Sequence, residues 1–481
     1  MSQQLECMSG NGTWMGRGLK GIKEVGLDRA KAEILFNLPE SQLLSTEDFF
    51  GWAPESISIR GTVGQRMTRA LQSSSFRRLW ASETLAVSGQ QVSVLALPLL
   101  AVTTLQATPA QMGALVALQG LPILLFSLYA GLLVDRVHRV RLMAAVNVAR
   151  AAAVAGLLVA ALLNALSFGL LCVVAFALGA LGVIYNVAYQ SVVPDLVPQG
   201  ALADANAKLE TSRSGADGVG PGVAGWLLGA AGYTAALGLN AVVYLLSALA
   251  LFRMPHTRRR APPSGSVTGQ VREGFSYVLS HPVIRPLMLC AATLNLAKGI
   301  LDAVLVYYLA KTLSLTPTQI GLVFMGSNAG FLCGALFGER LAQRLGIGRA
   351  SVLGAALAGL GLLLLPAATG AGALALPLFV VARFIFGFGE LMFYVQHITL
   401  RQSVTPDHLQ GRMHSVIRFL AGGMFPIGAL LGGLLGQRFG QTPALLIAGA
   451  VGSASALWLL RSAVPALHHR LPSAVDAAAD G

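Results

Sequence analysis

The stretch "GLLVDRVHRVR", Gly131 to Arg141, sets Asp135 and three arginines, Arg136, Arg139 and Arg141, between two long apolar runs. The chain around it is poor in charge. Only 11% of its 481 residues are charged, against a typical ~25%, while 54% are hydrophobic and the mean hydropathy is +0.66. Soluble domains of ~150 residues each would need a charged surface that this composition does not supply. Apolar runs of about 20 residues recur instead, the length at which a helix rising ~1.5 Å per residue crosses ~30 Å of hydrocarbon. The chain reads as an all-α membrane protein with many spans.

Working outward, spans are predicted near 80–104, 110–134, 142–163, 167–192, 205–229 and 233–252, then near 286–311, 317–341, 350–369, 373–400, 411–437 and 442–460, about twelve helices in all. The break between the sets, 254–285, is basic and rich in Pro, Ser and Gly, as linkers are. The two membrane regions, 79–253 and 286–462, echo each other. Pro194-Asp195 and Pro406-Asp407 both precede a glycine-rich span, and the span after that ends at Arg253 or Arg461. Two pseudo-symmetric six-helix bundles are expected, a duplicated design common among transporters. Residues 1–78 hold no spanning run, and 463–481 form a short tail.

The net charge of +13 raises the question of a nucleic-acid partner, and its distribution answers it. Arg77, Arg78, the three arginines of the opening stretch, the linker basics, Arg340, Arg344, Arg349, Arg401, Arg412 and Arg461 all fall on alternate connections or span ends. The opposite connections are nearly bare, with Arg438 and Lys311 as exceptions. That asymmetry places both termini and the linker in the cytoplasm, so the basic charge is topological and no nucleic-acid partner is expected. The four cysteines form no CxxC pair, and neither a disulfide framework nor a metal site is indicated. "GPGVAG", Gly220 to Gly225, fits G-x-G-x-x-G but follows no strand, and no Walker A, HExxH or GxSxG motif stands in a plausible setting. No enzymatic activity, catalytic residue or cofactor is expected.

Glycines run in helical stripes: Gly326, Gly330, Gly334 and Gly338 in the eighth span, Gly218/Gly222 and Gly225/Gly229 in the fifth, and Gly428, Gly432 and Gly436 in the eleventh. Small residues let helices pack closely in lipid, and smooth faces also let bundles rock against each other. The spacing alone leaves both readings open.

Several stretches resemble the major facilitator superfamily. "GLLVDRVHRVR" is similar to its signature loop between helices two and three, at Gly131, Asp135, Arg136, Arg139 and Arg141, and "GERLAQRLGIGR" is a degraded copy without the aspartate. "GPGVAG" resembles the glycine-proline motif of the superfamily's drug/proton antiporters, at Gly220, Pro221 and Gly225. "FRRLWASETLAVSGQQ", "VPDLVPQGALADANAK", "REGFSYVLSHPVIRPL" and "TPDHLQGRMHSVIR" are similar to the bacterial branch that includes enterobactin exporters and macrolide efflux proteins. Gln90 and Asn147 stand where many relatives carry acids. Met67 stands about where relatives begin, so residues 1–66 are expected to be an extension or an upstream start-codon assignment.

The resemblance implies the major facilitator fold in a bacterial inner membrane. It implies a monomer exporting amphipathic small molecules, such as a drug, siderophore or secondary metabolite, in exchange for protons, with Asp135 closing the cytoplasmic side. A proton-symport nutrient importer and a membrane sensor on a transporter scaffold are the alternatives.

Ionisable groups at mid-membrane cost on the order of 2.5 to 3.5 kcal/mol each and are read first as functional. Asn295, Lys298 and Asp302 share one face of the seventh span, and Arg383 and Glu390 lie two turns apart on the tenth. Asp302 or Glu390 is the expected proton carrier, with structural ion pairing as the competing reading. Asp217 and Glu210, flanking Arg213, are second-rank candidates, and Gln119, Asn240, Tyr244 and Asn328 are polar groups suited to lining a cavity or bonding between helices.

Overall fold

The computed structural model describes residues 71, 73–126, 134, 137–197, 201–254 and 267–467. The readings made of residues 1–66, of the end of the tail, of the first part of the linker, and of Gly131, Asp135 and Arg136 lie outside the described residues.

The described chain is helical throughout. In the first half stand α1 (Ser74–Thr103), α2 (Pro109–Phe126), α3 (Arg139–Leu162) and α4 (Phe168–Leu196). A continuous run, Leu202–Phe252, follows, and Gly232 breaks it with a φ of 78°, a backbone that only glycine adopts without strain. The break separates α5 (202–231) from α6 (233–252), so eleven long apolar runs provide twelve crossings. In the second half α7 (Val267–Ser280) precedes α8 (Ile284–Tyr307), α9 (Pro317–Leu345), α10 (Ile347–Leu364), α11 (Ala375–Ser403), α12 (Asp407–Gly422), α13 (Met424–Phe439) and α14 (Gln441–Leu460). The eleventh crossing is thus split between α12 and α13.

Local signals explain many of these ends. The Ser73 hydroxyl accepts the Phe76 amide at 3.3 Å and Ser167 accepts that of Leu170 at 3.2 Å, capping α1 and α4. Thr316 and Gln319 form a capping box at the start of α9. The linker holds more order than its Pro/Ser/Gly composition predicts: α7 packs on α12, with Phe275 edge-on to Phe419 at 6.1 Å and Glu273 paired with Arg412. Its apolar stripe supplies the reason, since Val278 is fully buried.

In the first bundle α1 and α3 pack along the α5–α6 run, and α4 covers α2 and α3. In the second, α9 and α10 flank α11, and α8 packs on α13 and α14. The bundles meet along α2 against α13 and along α5 against α9. Large side chains such as Trp226, Leu245, Leu332 and Leu434 remain exposed on the outer helix faces, as a lipid-facing surface requires.

The glycine stripes divide between these contacts. Gly326 and Gly334 face α11 so closely that a Cβ would come within 2.6 Å of the Val380 carbonyl oxygen and 3.0 Å of that of Phe388, and Gly432 faces Ile300 of α8 at 2.5 Å. Those stripes hold one bundle together. A different set lies across the bundles: a Cβ on Gly113 would sit 2.7 Å from Cα of Gly433, and one on Gly225 would sit 3.0 Å from Cα of Gly321. Each seam therefore has a glycine-on-glycine crossing near its arginine-poor end. Lys311 adds a hydrogen bond to Gln106 across the bundles at that same end.

Candidate functional site

Opposite the seams, a cavity of about 840 Å³ lies between the bundles and reaches the arginine-bearing ends of α11 and α12. Its first-bundle wall includes Ile123, Val183, Asn186, Gln190 and Arg213. Its second-bundle wall includes Asn295 and Leu294 of α8, then Glu390, Phe393, Tyr394, His397 and Arg401 of α11, and His414 and Arg418 of α12. Apolar side chains such as Ile123, Leu294 and Phe393, interspersed with polar groups from both bundles, suit a molecule that is itself amphipathic.

The α8 and α11 charges meet across helices. Lys298 Nζ donates to Glu390 Oε1 at 2.9 Å, and among the described residues no ion pair joins Lys298 to its helical neighbour Asp302 or Arg383 to Glu390. Helix spacing sets Lys298 beside Asp302 and Arg383 beside Glu390, but Lys298 pairs across helices because the facing helix offers it a carboxylate within reach. Arg383, only 4% exposed, is sandwiched with Phe324 and Phe386, each ring centroid 5.3 Å from its guanidinium carbon. Its Nε and Nη1, together with Asp302 Oδ1 and Glu390 Oε2, are buried without a hydrogen-bond partner among the described residues. Of the expected candidates, Asn295 and Glu390 line the cavity, whereas Lys298, Asp302 and Arg383 stand behind that wall.

A second charged cluster occupies the first bundle. Glu83, 1% exposed, has no hydrogen-bond partner among the described residues and faces Arg213 at 3.6 Å; Arg213 also donates to Asn186 Oδ1 at 3.0 Å. Beside it the guanidinium of Arg150 stacks over Tyr185 at 4.9 Å and Tyr244 at 5.6 Å. Asp217 lies outside the cavity lining: its carboxylate accepts from Gln91 and its carbonyl accepts from Asn328 across the α5–α9 seam. Asn240 donates to Ser93 at 2.8 Å, so Asn240, Tyr244 and Asn328 bond or stack between helices and do not line the cavity.

In the signature-like loop, Arg139 donates to Asp195 at 3.2 Å and to the Ser191 carbonyl at 3.3 Å, tying the start of α3 to α4. Gly220 faces α1 within the first bundle and leaves room for Gln91, whereas the Pro221 carbonyl and Gly225 abut Gly321 at the bundle seam. His397, Arg401, His414 and Arg418 were not among the candidates. Their signal was weak because Arg401 sits near a span end, where arginine is ordinary, Arg418 has no charged neighbour at helical spacing that marks it out as a site, and the lone histidines form no motif.

Comparison with known proteins agrees with this architecture. Residues 68–477 match the transmembrane secretion effector family. The multidrug efflux pump Tap of Mycobacterium tuberculosis is 28% identical over 379 residues, 74% of this chain and 85% of that protein. An uncharacterized MFS-type transporter of Bacillus subtilis, YfiS, is 24% identical over 378 residues, 77% of this chain and 89% of its own length. Among solved structures, the nucleoside transporter NupG superposes with a TM-score of 0.64 at 13% identity, covering 80% of this chain and 98% of its own. A bacterial homologue of the iron transporter ferroportin in an inward-facing state superposes with a TM-score of 0.63 at 20% identity, again covering 80% of this chain and 98% of its own.

Proposed function

The chain belongs to the transmembrane secretion effector family of the major facilitator transporters, and from that premise we propose that it is a proton-coupled exporter of amphipathic small molecules, working as a monomer in a bacterial inner membrane. The observation that carries the reading is the cavity between the bundles, shut at the arginine-poor end by the Gly113/Gly433 and Gly225/Gly321 crossings and lined at the other end by Arg401 and His414. Positive charge collects on cytoplasmic loops, so the arginine-bearing end is the cytoplasmic one, and the cavity faces the side from which an exporter loads. The relationship to a multidrug efflux pump supports the same direction.

Loading is followed by rocking of the bundles about the two seams, which closes the cytoplasmic side and opens the other. Asp135 holds that closed cytoplasmic side by accepting hydrogen bonds from the opposite bundle. Proton exchange is assigned to Asp302 or Glu390. Glu390 contacts both the cavity and the Lys298 ammonium, so movement of α11 against α8 exchanges the cation partner for a proton or the reverse.

A transport screen in inside-out vesicles under an imposed pH gradient tests the reading, with wild type set against Asp302→Asn and Glu390→Gln. Gradient-driven accumulation of an amphipathic dye, lost in at least one variant, is expected. Accumulation that ignores the gradient removes the antiport mechanism, and transport of no compound removes the exporter reading.

A further inference from the structure

Resting on the exporter reading, we propose that the cavity selects anionic amphipaths, and that Arg401 and Arg418, with His397 and His414, form the subsite that holds a carboxylate, phosphate or similar acidic group of the cargo. The charges on the cavity wall are unequal in kind. Its one described carboxylate, Glu390, has its charge answered by Lys298, whose ammonium lies 2.9 Å from Oε1. Of its three arginines, Arg213 is answered by Glu83 at 3.6 Å. Arg401 and Arg418 have no ion pair with any described carboxylate.

The duplicated design sharpens that imbalance. Arg213 precedes Pro221 by eight residues, as Arg418 precedes Pro426 on the corresponding span of the second bundle. Glu83 follows Leu79 by four residues after an Arg-x-Leu start on α1, and the same count from Arg285-x-Leu287 on α8 arrives at Ala291. The first bundle thus carries its own counterion, whereas the second keeps the arginine and has an alanine in its place. Both Ala291 and Arg418 line the cavity.

Membrane anchoring does not account for Arg401 and Arg418. Arg340, Arg344 and Arg349 are exposed at helix ends, as anchors are. Arg401 is instead 8% exposed, faces the cavity, and leaves Nε without a partner; His397 is 3% exposed, stacks on Phe393 at 5.4 Å, and leaves Nε2 without one. Arg418 lies three turns inside α12, exposed to the cavity. All four side chains line the same cavity. Two arginines without a described carboxylate partner, one of them with its Nε unsatisfied, border this open space and are stabilised by an anion that accepts from both. Phe393, Leu294 and Ile417 then receive the cargo's apolar body.

The full-length protein in phosphatidylcholine vesicles tests this with two dyes on one xanthene ring system, anionic fluorescein and cationic rhodamine 6G, followed by anisotropy and by vesicle accumulation. Fluorescein is expected to bind about tenfold tighter than rhodamine 6G. Arg418→Gln and Arg401→Gln are each expected to weaken fluorescein about fivefold without weakening rhodamine 6G, and Arg401→Lys to recover most of the loss. Arg418 is exposed, so its substitution reports on binding even if Arg401→Gln fails to fold. Displacement of fluorescein by added phosphatidylglycerol, absent in Arg418→Gln, also supports the subsite and identifies a lipid headgroup as its anion. Equal or tighter binding of rhodamine 6G, with fluorescein indifferent to the arginines, overturns the anion subsite and leaves the exporter reading standing. A protein that binds and accumulates neither dye counts against both.

Discussion

Lys298 Nζ and Glu390 Oε1 lie 2.9 Å apart across the α8–α11 interface, and this ion pair is the link between the cavity wall and the charges behind it. Neither partner is fully exposed, so removing one leaves the other poorly solvated. Lys298→Met is expected to lower the melting temperature, by less than the loss of one member costs a fully buried pair, since both side chains are partly exposed. Lys298→Met/Glu390→Gln, which removes both charges, is expected to recover most of the thermal stability in detergent yet remain inactive in pH-driven transport. A double variant that transports at the wild-type rate refutes the proton-exchange role of the pair.

The two classes of glycine contact predict two different phenotypes. Gly330 packs within the second bundle against Phe384 and Phe388, so Gly330→Val is expected to lower the melting temperature through overpacking of about 1 to 3 kcal/mol. Gly433 packs across the bundles on Gly113, so Gly433→Val is expected to prop that seam open. Its stability changes little while transport falls about tenfold, because the closed arginine-poor side can no longer form. Equal melting temperatures and equal transport for the two variants would show that the seam does not move.

Asp135→Asn is expected to abolish transport while leaving membrane expression intact, since Asp135 is proposed to close the cytoplasmic side and not to hold the fold. Its neighbour Arg139 is already occupied by Asp195 and the Ser191 carbonyl within one bundle, so Asp195→Asn is expected to reduce stability more than transport. Comparing protein yield with initial transport rate for both variants separates the roles.

The fold was readable because lipid imposes simple rules: a span needs about 20 apolar residues, and arginines mark one side. Gly232 hid nothing at this level, since the bare connection around it already marked a turn between two spans. The pairing of charges was less readable. Lys298 and Asp302 look like partners at one-turn spacing, but the choice of Glu390 depends on how α8 faces α11, which no single-helix pattern encodes. Glu83 and Arg213 are separated by 130 positions, and their meeting follows from the packing of α1 on α5. His397 and Arg401 acquire meaning only from the cavity beside them.

A last prediction concerns pH outside the membrane spans. His281, between α7 and α8, accepts the amides of Val283 and Ile284 on Nδ1 at 3.2 and 3.4 Å and stands edge-on to Tyr277 at 5.4 Å. Burial holds its imidazole below the ordinary value of 6.5, because the charged form is poorly solvated there. Protonation of Nδ1 would also remove the acceptor that organises the start of α8. A histidine depressed in the folded state contributes stability that is complete above its unfolded value and is lost as pH falls from about 6.5 toward the folded value. The melting temperature of the wild type is therefore expected to decline on acidification through that window. His281→Asn, which keeps a side-chain acceptor without a titrating ring, is expected to flatten the decline and to leave transport near neutral pH unchanged. An equally steep decline in His281→Asn would assign the acid sensitivity to other groups.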